Sequence, residues 1–163
     1  MTYKEDLSMA HETGQFSWHH PAVVFEETFG GFGIWSSQPT TIVTGFFMLT
    51  SLGRDDWSLG PDTNQTSGAA PALSIYQSQQ PKLNLLVLVF VANDPSNRIL
   101  YSILDLNEDP NTRGWRYVGQ VGNESAQAVF TPNLPPNFIT VVYFTANDSS
   151  DRLLNTGFIP ATP

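Results

Sequence analysis

A chain of 163 residues has the length of one ordinary domain, and the complete absence of cysteine excludes disulfides and thiolate metal sites. Fifteen acidic against seven basic side chains give a formal net charge of −8 with no Lys/Arg cluster, which argues against nucleic acid as a partner. Only 13% of residues are charged while 12% are aromatic, a composition that suits strands with Thr, Ser and Asn on their outer faces better than amphipathic helices.

Residues 1–17 carry no apolar period and read as a flexible N-terminal arm; they also lack the apolar stretch of a secretory leader. A cytoplasmic or non-classically secreted protein is therefore the expectation, with the compartment left open. From residue 18 the chain becomes a series of short apolar segments, at 22–25, 41–49, 73–76, 85–91, 99–104, 116–121, 126–130, 139–145 and 153–158. Between them lie turn formers: Gly30-Gly31, then 53–56, 61–68, 79–81, 93–97, 107–114 and 132–137. No window of helical length holds a 3.6-residue period, so the chain reads as all-β. The longest apolar run, 85–92, is eight residues, far too short for a membrane-spanning helix.

Internal repeats are the strongest signal. The segments around Ala92-Asn93-Asp94-Pro95-Ser96-Asn97-Arg98 and Ala146-Asn147-Asp148-Ser149-Ser150-Asp151-Arg152 match at an offset of 54, each flanked by apolar strands. Pro21-Ala22-Val23-Val24-Phe25 is echoed by Pro71-Ala72-Leu73-Ser74-Ile75 and more loosely by Ala126-Gln127-Ala128-Val129-Phe130. Trp57-Ser58-Leu59-Gly60 is echoed by Trp115-Arg116-Tyr117-Val118-Gly119. These echoes recur in one order. They divide a single all-β domain, 18–163, into three degenerate four-stranded units at about 18–60, 61–119 and 120–163, the last lacking its Trp strand.

The stretches 67–73, 86–94, Arg98-Ile99-Leu100-Tyr101-Ser102 and Gly114-Trp115 resemble blades of β-propellers of the sialidase-like and fungal fucose-lectin kinds. Ser51-x-Gly53-x-Asp55-x-Trp57 looks like a degenerate Asp-box hairpin, which in those propellers is a structural turn. The resemblance implies a propeller-like fold and a sugar ligand. Fucose lectins carry an Arg and a Glu on adjacent inner strands, where this chain has Leu86 or Thr140 and Ser102 or Asn155, so that sugar grip is not carried over. The arginines (Arg54, Arg98, Arg113, Arg116 and Arg152) do not compose a sialidase triad, because Arg98 and Arg152 are repeat equivalents. Three units cannot close a propeller of about four to eight blades, though two chains would supply six. A β-trefoil, closing three units within one chain, is the alternative, although the Gln-x-Trp motif of trefoil lectins is absent.

The candidate ligand-binding residues follow from the repeats. Asn93, Asp94 and Arg98, with Asn147, Asp148 and Arg152, are either hairpin turns closed by Asx hydrogen bonds or polar loops repeated about an axis. Trp57, Trp115 and Tyr101 offer flat apolar faces for sugar rings or for packing between units, as do Trp18 and Trp35. His19-His20, with His11, lack ligand spacing, because adjacent histidines on a strand face opposite ways; neither metal nor cofactor is expected. No phosphate loop, dinucleotide fingerprint or Gly-x-Ser-x-Gly occurs, so no catalytic residue is assigned. Sequons stand at Asn64, Asn123 and Asn147. The expectation is a non-enzymatic, lectin-like protein that binds glycans at repeated shallow sites and is multivalent as a homo-oligomer. The alternatives are a structural protein presenting a protein-binding face and, third, a glycosidase.

Overall fold

In the computed structural model, residues 17–26, 28–49, 55–132 and 139–161 are described; for 46–49 and 55–57 the description covers the backbone course. Strands β1 (Ala22–Glu26), β2 (Gly30–Ser36), β3 (Ile42–Leu49) and β4 (Asp55–Leu59) form one antiparallel meander. Strands β5 (Ala72–Gln79), β6 (Lys82–Val91), β7 (Arg98–Asp105), β8 (Arg116–Phe130), β9 (Thr140–Ala146) and β10 (Leu153–Phe158) form a second, in the order β10-β9-β8-β7-β6-β5. The protein is all-β, with no helix among the described residues.

The apolar run at 85–91 becomes the centre of the molecule. Along β6, Leu85, Val87, Val89 and Val91 face one way and Leu86, Leu88 and Phe90 the other, and all seven are buried. Alternation at period two explains how one uninterrupted run serves two cores. On one side Leu86, Leu88 and Phe90 meet Val24, Phe32, Ile34 and Ile42 from the first sheet. On the other, Val87, Val89 and Tyr101 meet Val142 and Phe144 from β9. The second core forms because β8 curls. Its first half pairs with β7, from Ile103↔Arg116 to Arg98↔Ser125; its second half pairs with β9, from Ala126↔Ala146 to Phe130↔Tyr143. Gly122, at φ 61°, supplies a left-handed residue inside the strand, where any other residue would be strained. The six strands thus wrap into a half-barrel that lays β9 and β10 back over β5–β7.

The two sheets are stitched by residues 60–68. Gln65 accepts from Ile42 N at 3.1 Å, Ser67 N donates to Thr40 at 2.7 Å, and Ser67 Oγ reaches Val91 O at 3.2 Å. Thr63 Oγ1 donates to Ile42 O at 2.6 Å. A stretch of turn formers is thus bonded on both sides.

Two sequence expectations are corrected. The boundary at 119/120 between the second and third units falls inside β8: nothing in 119–126 compels the chain to leave the sheet, so glycines bend the strand without ending it. Gly30-Gly31, read as a turn, opens β2, a strand absent from the sequence reading. Gly31, Phe32, Gly33, Ile34, Trp35 and Ser36 are all buried, and Gly33 lies opposite Gly45. Glycine there marks close packing on both faces.

Candidate functional site

The twin turns form by local chemistry. At the β6–β7 turn, Asp94 Oδ1 accepts from Ser96 N at 2.8 Å and from Ser96 Oγ, and Arg98 Nε donates to Ser96 Oγ at 3.1 Å. At the β9–β10 turn, Asp148 Oδ1 accepts from Ser150 N at 2.8 Å and from Ser150 Oγ. Arg152 Nε donates to Ser150 Oγ at 2.9 Å and its Nη2 to Asp148 Oδ2 at 3.1 Å. The residue before each arginine, Asn97 or Asp151, has positive φ, 47° and 49°. Hydrogen bonds from the serine hydroxyl, then from the serine N–H, hold both carboxyls below the ordinary aspartate value of 3.8, and Arg152 adds to the effect at Asp148. Asn93 and Asn147 are exposed beside these carboxylates.

The fold sets the two turns side by side across the middle of β8. Ala126 N donates to Asn97 O at 2.8 Å, and Asn147 N donates to Ser125 O at 3.4 Å. The aromatic candidates lie elsewhere. Tyr101 is 6% exposed, its ring 4.6 Å from that of Phe158 and its hydroxyl accepting from Ala161 N at 3.3 Å. Trp115 is half-buried against the core between the sheets, with Nε1 donating to Thr44 Oγ1 at 3.4 Å. Trp57 lies in β4 opposite Phe47, and its side chain is outside the described residues, as is His11. The repeat-derived candidates therefore do not converge: the polar turns share one sheet end, while Tyr101 and Trp115 pack inside. All three sequon asparagines are exposed.

A different place does bring chemistry together. A cleft of about 500 Å³ opens between the start of β1, the start of β5 and the end of β8, walled by Val24, Leu73, Val129 and Phe130. It continues into a second hollow of about 460 Å³ bordered by Ser17, Trp18, His19 and His20. His20, Pro21 and Ala70 line both. Trp18 is 65% exposed, held by its backbone N–H on Ser36 O at 3.0 Å. His19 Nε2 donates to Pro39 O at 2.9 Å, which anchors the rim. Thr131 Oγ1 donates to Leu73 O at 3.0 Å and fastens the end of β8 to the free edge of β5. Among the described residues no Asp, Glu, Lys or Arg lines either hollow.

The walls of this cleft are the three segments of the Pro-Ala echo. The echo marks them as equivalent strands, but nothing in the sequence says that they meet. The described residues hold no cluster of three or more metal-ligating side chains, and no helix among them is long and apolar enough to cross a membrane. No family model, no curated protein and no solved structure matches this chain.

Proposed function

We propose that the protein is a lectin-like carbohydrate-binding module whose glycan lies in the cleft beside Trp18. The observation that carries this reading is an exposed indole on the rim of an open hollow that, among the described residues, no Asp, Glu, Lys or Arg lines. The C–H face of a pyranose stacks on a flat aromatic surface, and neutral hydroxyls need partners that impose no charge. Ser17, Trp18, His19 and His20 line it with side chains that can hydrogen-bond a hydroxyl. The same observation moves the proposed sugar contact from Trp57 and Trp115 to Trp18.

The propeller-like reading belongs with this proposal. Three repeat-related strands converge on one hollow, as the inner strands of blades do about an axis, and one four-stranded meander stands as a separate sheet. The continuous β8 departs from separate blades. Multivalency through a homo-oligomer remains part of the proposal. No carboxylate lines the cleft among the described residues, which weighs against glycoside hydrolysis there. An interaction protein that acts without a glycan is the second reading, favoured by the exposed apolar side chains of β8–β10.

A glycan array probed with the wild-type protein and with Trp18→Ala tests the proposal. Binding to one glycan class, lost in Trp18→Ala while the unfolding midpoint stays unchanged, is the expected result. A blank array, or binding that ignores Trp18, overturns it.

A further inference from the structure

The half-barrel has an inner face and an outer one. Inward, Val129, Val142, Phe144, Leu154 and Phe158 complete the core with β5–β7. Outward, the alternation of β8, β9 and β10 presents Phe130, Tyr143, Leu153 and the residues flanking them in register. Phe130 lies opposite Tyr143, Tyr143 opposite Asn155, and Leu153 opposite Thr145. Ile139 lies over Gly157, where an added Cβ would sit 3.1 Å from its Cδ1, so the glycine lets the isoleucine lie flat on the sheet.

This outer face is apolar and open. Phe130, Ile139, Tyr143, Leu153 and Ile159 are 62%, 49%, 36%, 72% and 66% exposed. On the order of 500 Å² of side chain lies bare there, the scale at which a surface patch marks an interface. The remaining outward positions, Ala128, Val141, Thr145 and Asn155, are uncharged, in a chain of net charge −8. β10 ends the sheet, and no lysine, glutamate or proline within its sequence protects that edge.

We propose that this face is the interface of a homodimer, in which β8–β9–β10 of one copy packs against β8–β9–β10 of another across a two-fold axis. Two arguments choose a second copy as the occupant. The outward strand positions carry no charge to be stripped of water or set against a like charge; the nearest charges, Asp148, Asp151 and Arg152, stand at the turn beside Leu153, on the rim. The area, with its rim, approaches the ~800 Å² that each partner of a stable complex buries. The proposal deepens the homo-oligomer part of the reading above and does not need the cleft to take a sugar; a dimer would carry two clefts.

Sedimentation velocity over a wide concentration range, on wild type and on Leu153→Arg, tests the interface. The expected result is a wild-type dimer that Leu153→Arg weakens at least about tenfold. A second measurement covers a misfolded variant. The chain has no cysteine, so Asn155→Cys offers one thiol at the centre of the face. A short bis-maleimide is expected to link copies of Asn155→Cys far more than copies of Asp62→Cys, an exposed control on the 60–68 segment. Either a wild-type monomer at every concentration, or a dimer that survives Leu153→Arg with no preferential linking at Asn155→Cys, overturns the proposal.

Discussion

Asp94 and Asp148, 54 residues apart, make the same pair of hydrogen bonds: each carboxylate accepts from the N–H and the hydroxyl of the serine two positions on. They differ in the arginine. Arg152 Nη2 reaches Asp148 at 3.1 Å, whereas Arg98 engages the turn through Ser96 Oγ. Both turns end strands that enter the inner core of the half-barrel, so their closure fixes how Ile99 and Leu154 enter it.

This closure is pH-dependent. Both aspartates have folded-state pKa values lowered from 3.8, so the stability they contribute is complete above that value and is lost as pH falls below it toward the lowered value. The urea midpoint of the wild type is expected to drop below pH 4, and that of Asp94→Asn/Asp148→Asn to drop less steeply. Parallel profiles for the two proteins between pH 2 and pH 6 would show that the turns do not couple to folding.

The two faces of β6 can be weighed separately. Val87 and Leu88 are neighbours, each 0% exposed, and they belong to different cores. Leu88→Ala is expected to cost about 3 kcal/mol in urea unfolding and Val87→Ala about 2 kcal/mol. Hydrogen exchange separates them further: Leu88→Ala speeds exchange in β1–β3 first, Val87→Ala in β9 and β10.

Trp115 joins the sheets through its ring and through Nε1. Trp115→Ala is expected to cost about 2 kcal/mol, less than for a fully buried tryptophan because the ring is half-exposed. Trp115→Phe keeps most of the packing and loses the hydrogen bond to Thr44, a cost of about 1 kcal/mol or less. Equal losses for the two variants would mean that the hydrogen bond dominates.

Gly122 gives a sharper test of the curl in β8. Nothing lies within 4 Å of a Cβ added there, so the cost of Gly122→Ala is that of a left-handed backbone alone, about 1–2 kcal/mol. Gly122→Asn is expected to recover part of it, since asparagine tolerates this region better. If alanine and asparagine cost the same, something other than backbone conformation sets the penalty.

What the sequence made legible was local. The Asn-Asp-x-Ser-x-Arg turns are built from hydrogen bonds spanning four residues, so residue type and spacing were enough to read their structural form. The 85–91 run was legible as a strand because its burial on both faces leaves no polar alternation. Gly30-Gly31 reads as a turn in sequence because what Gly31 accommodates, close packing within β2, comes from outside the segment. The 119/120 boundary failed for a similar reason: a bend and a break look alike in sequence when glycines make both. Trp18 was noted as one aromatic among four, and only the meeting of residues 20–24, 70–73 and 129–132 sets it beside a cleft.

In each sheet every strand after the first pairs with the strand made just before it, so such a strand finds its partner already synthesised. The half-barrel can therefore be wound up in the order of synthesis, and its outer face forms only when its last strands, β9 and β10, are in place. Until β9 and β10 arrive, Val87, Val89 and Tyr101 have no cover on that side. The interval between translating residues 105 and 158 is thus the one in which this chain is most exposed to association with its neighbours.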